Sequence, residues 1–551
     1  MQYQSYAYGK NHWSLDPDLK SVLQRNWPGL AGHEAELARF GELAGGRAYQ
    51  IADYVDRQAP PELVMLDLDG RRVDRARLAP SHAQLLQELA FINRPPYEGG
   101  TWMHHFTLGY LLADPGLYCS LIVTNQTAYA IYKYLPEQGH YLEALLSGQA
   151  WGATWMTETQ GGSDLGANRT IARQVEGAWR LDGEDKYFAS NAGLADLAIV
   201  TARPQGAPPG PKGIALFLVP RLDGGDQLNF QVRRLKRKSA TRAVPTGEVE
   251  FHDSLAYLVG QAELGIYYTM ENLTVSRLAN AVGAMGLARK AHLEALFRVQ
   301  ARAAFGQALV EHPLVRYDLT DLAVRTAGGL ALAFHAIRAF DRSWKALPPY
   351  TPDYHYARFL SHLTKNRTAE HAASVTQLVM ELFGGLGFLE DYAVSRLHRE
   401  ALVTAIWEGT SNIQALEMLE AMQKKSAHEA FLDEFVPMLE RAGTPAASRA
   451  GDLLQGTLSE LAGLPAQQAQ WHAKAALARL ADVAQVALLY DLAENAGGDA
   501  AAQRYARLAE LYAIHFLQGQ PYPASALDES SIWMPAATEL PGAIEQPEII
   551  E

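Results

Sequence analysis

A chain of 551 residues exceeds one compact core and divides, at ordinary domain size, into roughly three or four units. Apolar residues make up 48% and charged residues 20%, an ordinary globular composition. The net charge of −13 disfavours a global electrostatic footprint for nucleic acid, and the single cysteine, Cys119, excludes an intrachain disulfide and a cysteine-built zinc site.

Met1 to Lys10 is polar and aromatic, with no apolar signal core behind it. The run Leu108–Val123 is too short to span a bilayer and is broken by Asp114, Pro115 and Gly116. These features point to a cytoplasmic protein with no membrane partner, and to Cys119 as a small buried hydrophobe. No metal-ligand set is read in the sequence.

From Leu15 to about Ala150 the pattern is helical. Apolar residues recur three and four apart in Glu34–Val55 and His82–Ile92, with Pro60-Pro61 and Pro95-Pro96 as breaks. After Trp151 come short β-prone runs, Leu197–Ala202, Gly213–Val219 and Gly247–Phe251, among turn residues, which read as a small antiparallel unit. Helical periodicity returns near Leu264 in three long stretches: Glu271–Ala304, Leu319–Leu347 and Tyr356–Leu382. The last stops at Gly384-Gly385, where glycine accepts a positive-φ cap. Gly283 and Gly286 lie inside the first stretch, where they cost helix stability, so close helix approach is expected at both. An Ala-, Leu- and Gln-rich helical region follows to Leu517, then an acidic tail. The expected fold is α+β and multidomain: an N-terminal helical domain (1–150), a middle antiparallel β-barrel (151–262), a helical bundle (263–425) and a helical extension (426–551).

The Gly384-Gly385-Leu386-Gly387 cluster follows a helix rather than a strand, so it is not a Rossmann fingerprint, and no phosphate-binding Gly-x-x-x-x-Gly-Lys loop is present. Three other segments carry site-like chemistry. Thr157–Asp164 offers glycines and hydroxyls, and reads equally well as a surface turn. Lys186-Tyr187-Phe188-Ala189-Ser190-Asn191 places an aromatic two residues before a hydroxyl on a probable strand, which is weak by itself because strands are full of aromatics. Ile406-Trp407-Glu408-Gly409-Thr410-Ser411 sets a carboxylate between Trp and Gly where a helix opens. Desolvation beside Trp407 would raise the Glu408 pKa and suit it to general-base work; a helix-start glutamate favoured by the macrodipole is the plainer reading of that segment alone.

Taken in order, these segments resemble the signatures of the acyl-CoA dehydrogenase superfamily over most of residues 30–425. The resemblance implies FAD as cofactor. It implies that the flavin is held by Met156, Thr157, Gly162 and Ser163 of one loop and by Phe188, Ala189 and Ser190 of the following strand. Arg302 and Phe305 of an Arg-x-x-Phe-Gly signature would reach the flavin of a neighbouring subunit. Glu381, Gly384 and Gly385 would touch its adenosine end, and Ile406, Trp407, Thr410 and Asn412 would complete the site. Glu408 falls where the family keeps its catalytic base, with Ser163, Arg277 and Gly409 beside the substrate. Ser276 precedes Arg277, so the alternative glutamate base of some relatives is absent there. Arg277 reads equally as an interhelical salt-bridge partner.

Gln160, Glu381, the stretch Pro60–Asp74 and the C-terminal extension resemble the alkylation-response (AidB-like) branch. That resemblance implies a homotetramer and a link to protection of DNA. Residues 441–551 depart from the branch, because Arg441, Arg449, Lys474, Arg479, Arg504 and Arg507 face thirteen Asp and Glu. DNA affinity comes largely from phosphate neutralisation, so an acidic extension disfavours nucleic acid as a partner. A local cluster, Arg233, Arg234, Lys236, Arg237, Lys238 and Arg242, would support DNA binding, although a charged strand face is the commoner reading. The implied reaction is α,β-dehydrogenation of an acyl-CoA thioester, with the electron acceptor open and an oxidase as the alternative. A nitroalkane oxidase would be expected to use aspartate, which Glu408 argues against.

Overall fold

A computed structural model describes residues 5–534, apart from the side chains of Glu184 and Asp185. Residues 1–4 and 535–551, which hold Glu539, Glu545, Glu548 and Glu551 of the acidic tail, lie outside the described residues.

The N-terminal region carries seven α-helices: α1 (Pro17–Asn26), α2 (Glu34–Leu43), α3 (Tyr49–Gln58), α4 (Pro80–Leu89), α5 (Trp102–Leu112), α6 (Pro115–Tyr134) and α7 (His140–Leu146). The expectation of helix throughout this region is corrected between α3 and α4. There β1 (Glu62–Leu66) and β2 (Arg72–Arg77) pair antiparallel around a turn capped by the Asp67 carboxylate and closed by Gly70 at φ +77°. Neither hairpin strand buries a continuous apolar face, so alternation gives little signal. The hairpin is pinned to the next unit by Ala76 N–H to the Gly193 carbonyl (2.9 Å) and Val232 N–H to the Asp74 carboxylate (2.8 Å).

That unit contains β3 (Gly152–Trp155), β4 (Ile171–Val175), β5 (Ala178–Ala189), β6 (Leu197–Pro204), β7 (Ala215–Pro220), β8 (Gln231–Leu235) and β9 (Gly247–Leu258). Pairing runs β3-β6-β4-β5-β9-β7, with β8 on β9, and β6 also pairs β7, which closes the strands into a barrel. Pairing is antiparallel except at β3–β6 and β4–β6, which are parallel, so the sheet is mixed rather than purely antiparallel. Alternation along β6 and β7 sorts the core. Ala198, Val200, Phe217 and Val219 point into the barrel, while Leu197, Ile199, Leu216 and Leu218 pack outward with Ala128, Ile131 and Tyr268.

The bundle consists of α8 (Gly265–Ala301), a two-residue hairpin β10 (Ala303–Ala304) and β11 (Gln307–Ala308), α9 (Pro313–Ser343), α10 (Pro352–Phe383), α11 (Ala393–Thr404) and α12 (Ser411–Lys425). The extension adds α13 (Ala427–Ala442), α14 (Pro445–Gly463), α15 (Ala466–Glu494) and α16 (Asp499–Tyr512). It shares one apolar core with the bundle and the N-terminal helices. Ion pairs fasten it: Arg367 to Asp482 (2.7 Å), Arg25 to Asp491 (2.7 Å) and Arg504 to Asp18. No helix among the described residues is long and apolar enough to cross a membrane.

The two glycines of α8 separate here. A Cβ on Gly286 would stand 2.4 Å from the Tyr110 carbonyl oxygen, so α5 and α8 do approach closely there. At Gly283 nothing lies within 4 Å; that glycine borders a cleft instead, which corrects the expectation for it. Gly286→Ala is expected to lower stability by about 1–3 kcal/mol, the usual cost of overpacking. Gly283→Ala is expected to be neutral or to stabilise by up to about 1 kcal/mol through helix propensity. Thermal melting of both variants checks this, and equal effects would contradict the assignment.

Candidate active site

Between α11 and α12 the chain turns through Ala405–Thr410, and Thr410 is the N-cap residue of α12. Glu408 holds φ +59° and Gly409 φ +95°. A non-glycine residue in this region costs of order 1–3 kcal/mol and persists only where its surroundings over-determine it. They do. The Glu408 carbonyl accepts from Arg277 Nε (3.0 Å) and Gln414 Nε2 (3.0 Å), and the Gly409 carbonyl from Lys365 Nζ (2.7 Å) and Gln414 Nε2 (3.0 Å). The Glu408 N–H has no acceptor among the described residues. A side chain on Gly409 would meet Gln414 Nε2 at 2.8 Å.

The strained turn aims the Glu408 carboxyl into a cleft of about 390 Å³ of empty space, its mouth included. The wall is mostly apolar: Pro115, Tyr118, Cys119, Ile122 and Val123 from α6, Ser276, Ala279, Asn280 and Gly283 from α8, then Thr404 and Trp407. Burial raises the Glu408 pKa above the ordinary glutamate value, partly offset by a hydrogen bond from the Ser276 hydroxyl and by the charges of Arg277 and Lys365. Trp407 is fixed by donation from its indole N–H to Asn280. Burial pushes the Lys365 ammonium down to about 7 and the Cys119 thiol up to about 12, so Cys119 is an inert wall residue.

Arg277 is not among the residues that line this cleft. Its guanidinium is buried and bidentate to Glu417, at 2.9 and 2.7 Å, while its Nε holds the Glu408 carbonyl. The salt-bridge reading holds, with a positioning task added. Gly409 serves the turn through its conformation and its carbonyl.

The loop after β3 is held from beneath. Glu158 and Lys186, both fully buried, pair at 2.9 Å, and Glu158 also accepts from the Arg169 N–H, the Thr170 N–H and the Thr170 hydroxyl. Burial opposes ionisation of Glu158, but Lys186 and these donors hold its carboxyl below the usual range. Met156 is buried, Thr157 half-buried, and Gly162 and Ser163 are exposed. On β5 the Phe188 ring is 52% exposed and Ala189 is buried. The Ser190 hydroxyl is not free: it donates to the Thr154 carbonyl (3.1 Å) and accepts from the Thr154 N–H (3.3 Å). Asn191 ties this strand end to α6 through the Ser120 carbonyl (3.2 Å), next to Cys119 of the cleft.

The remaining predicted residues do not line the cleft. Ile406, Thr410 and Asn412 are exposed around the turn. Arg302 caps the end of α8, and Phe305 stands 98% exposed at the tip of the β10–β11 hairpin, with φ +52°. Glu381, Gly384 and Gly385 lie at the exposed end of α10, joined to the end of α8 by Arg298 donating to the Phe383 carbonyl (3.4 Å). The basic cluster is largely neutralised: Arg234 and Lys236 pair with Glu248, Arg233 with Glu250, and Lys238 is buried against carbonyls, so the strand-face reading applies.

Comparison with known proteins follows the same order along the chain. The adaptive response protein AidB N-terminal domain matches residues 4–149, the acyl-CoA dehydrogenase middle domain 153–254 and the acyl-CoA dehydrogenase C-terminal domain 263–423. The chain is 30% identical over 432 residues to the putative acyl-CoA dehydrogenase AidB of Escherichia coli (strain K12), covering 73% of this chain and 77% of that protein. Among solved structures, Caenorhabditis elegans ACDH-11 in complex with C11-CoA superposes with a TM-score of 0.80 at 25% identity, covering 95% and 93% of the two chains. An acyl-CoA dehydrogenase from Bacillus anthracis complexed with FAD shares the fold, with a TM-score of 0.68 at 17% identity, over 97% of this chain and 90% of that one.

Arg277→Met is expected to destabilise the protein by about 3–5 kcal/mol, because it leaves Glu417 charged and short of its main partner. Denaturant unfolding measures this; a loss below about 1 kcal/mol would mean that Arg277 does not anchor the turn.

Proposed function

The chain belongs to the acyl-CoA dehydrogenase family of oxidoreductases and carries the N-terminal domain of the AidB proteins, and on that premise we propose that it is an FAD-dependent acyl-CoA dehydrogenase with Glu408 as base. The observation that carries this reading is the carboxyl of Glu408, desolvated at an apolar cleft and aimed by a turn that four hydrogen bonds from three side chains fix.

The residues around the β3 loop fit a flavin. Gly161 at φ +126° and Gly384-Gly385 have open space where side chains would stand, and Phe188 presents a half-exposed aromatic face. We assign Met156, Thr157, Gly162, Ser163, Phe188, Ala189, Trp407, Thr410 and Asn412 to holding it. The Ser190 hydroxyl, committed to Thr154, contributes by position rather than by a free donor. Bound FAD would supply the acceptor for the hydride leaving the substrate β-carbon. Arg302 and the exposed Phe305 support a homotetramer in which this hairpin reaches a neighbouring subunit, with Glu381, Gly384 and Gly385 at the adenosine end.

The task of the chain itself is to take the α-proton of a thioester. A carboxylate in water is far too weak a base for that proton. Exclusion of water by Ile122, Val123 and Trp407 strengthens every polar interaction in the cleft. The raised pKa of Glu408 makes it a better proton acceptor than an exposed glutamate. The unpaired Glu408 N–H suits the thioester oxygen as negative charge develops there, and such a donor contributes on the order of 3 kcal/mol. The Ser276 hydroxyl holds the carboxylate toward the cleft until substrate arrives.

Anaerobic titration of the purified yellow protein with acyl-CoAs of increasing length tests the proposal. Flavin bleaching is expected with some chain length, slowed at least about 10²-fold by Glu408→Gln. If bound flavin stays oxidised with every thioester, the dehydrogenase reading fails. The pH profile has a definite sign. The base works only when ionised, so the bleaching rate must fall as pH drops through the Glu408 pKa. Because that pKa is raised, the fall must set in above the range of an exposed glutamate.

A further inference from the structure

Where α2 meets α5, two imidazoles and a carboxylate converge outside the machinery described above. We propose that His33, Glu36 and His104 form a binding site for one divalent transition-metal cation of the zinc class, with an open coordination position toward solvent.

The placement begins with helix geometry. His33 is the N-cap residue of α2 and Glu36 lies in its first turn, and the i, i+3 spacing sets both on one face. His104 stands in the first turn of α5, where Thr101 caps its N–H. The contact between α2 and α5 brings the three side chains together, and one ligand atom from each lies within 4.8 Å of the others. His33 Nδ1 is 3.3 Å from Glu36 Oε2, and His104 Nε2 is 3.2 Å from that same oxygen.

The two separations to the Glu36 carboxylate suit a shared cation, and the two ring nitrogens lie within 4.8 Å of each other. Two ligands bonded to zinc at about 2.0–2.2 Å, at a tetrahedral angle, stand about 3.3–3.5 Å apart. A simple ion pair explains less. His104 Nε2 is close enough to the carboxylate for a hydrogen bond but not aligned for one, and it is left without a hydrogen-bond partner in a residue only 7% exposed. A buried ring nitrogen without a partner is costly, and a cation between it and Glu36 would satisfy both.

The chemistry of the set is selective. Two imidazoles and one carboxylate suit zinc and its neighbours, whereas magnesium and calcium prefer all-oxygen sets. Trp27 stacks on His33 (4.8 Å between ring centroids) and packs against His104 (5.3 Å), fixing both rings and walling one side. The other side is open, because His33 and Glu36 are about one-third exposed. Three protein ligands leave at least one position for water, the arrangement of an exchangeable rather than a sealed site. The N-termini of α2 and α5 oppose a cation weakly, and the Glu36 carboxylate, which they favour, offsets this.

Isothermal titration of untagged, chelator-treated full-length protein with Zn²⁺, and separately with Mg²⁺, tests the site. One Zn²⁺ per chain is expected, bound at least tenfold more tightly than Mg²⁺. Glu36→Gln and His33→Ala should each lower Zn²⁺ affinity at least tenfold. If Glu36→Gln melts early, His33→Ala carries the test, because the ring it removes is partly exposed. Absence of Zn²⁺ binding, or binding undiminished in His33→Ala, would overturn the proposal and leave the cluster as an ion pair.

Discussion

The guanidinium of Arg277 is the point on which the candidate site depends. Burying a charge costs several kcal/mol unless it is paired and hydrogen-bonded, and Arg277 is almost wholly buried in the middle of α8. Glu417 of α12 neutralises it in bidentate fashion, and Arg358 of α10 adds a second cation to the same carboxylate (2.9 Å). The remaining Arg277 donor, Nε, reaches the carbonyl of Glu408. One side chain thereby fixes α12 against α8 and holds the turn between α11 and α12 in a backbone conformation that glutamate adopts at a cost.

That arrangement separates two nearby glutamates into different chemical roles. The charge and hydrogen bonds of Arg277, with the charge of Arg358, overcome the effect of burial at Glu417 and hold its carboxyl far below the usual range. Glu408, also desolvated, faces an apolar cleft and is raised. Carboxyls pushed apart in this way are a mark of divided acid–base labour. Here one is a fixed anion of the scaffold, and the other is the group to which the proposed function gives the proton. The Glu158–Lys186 pair does for the β3 loop what Arg277 does for the turn, since in both places a buried ion pair fixes an exposed, glycine-bearing segment.

The sequence was most legible where chemistry is local. The long helices α8, α9 and α10 stand where the sequence expects helix, although α8 is buried on nearly every face rather than along one apolar stripe, and the Trp407–Thr410 turn is readable because a carboxylate, a glycine and a helix start sit side by side. Partnerships across long separations were not readable. Nothing near Arg277 announces Glu417, 140 residues away, so its two readings stayed open. Lys365, Gln414 and Ser276, which hold the turn and the carboxyl, carried no local signal apart from the place of Ser276 beside Arg277. The α6 wall of the cleft lay in an apolar run that speaks only to burial. The β1–β2 hairpin hid because neither strand buries a continuous face, and His104 joins His33 and Glu36 only through the packing of α5 on α2.

The central claim is that Glu408 removes a proton from carbon next to a thioester, and exchange of that proton measures it without reference to any electron acceptor. The purified protein is incubated with an acyl-CoA in D₂O and the recovered thioester is weighed by mass spectrometry. The account predicts incorporation of deuterium at the α-carbon by the wild-type protein and its loss in Glu408→Gln. Exchange that persists unchanged in Glu408→Gln would contradict it, since the proton would then leave to another group.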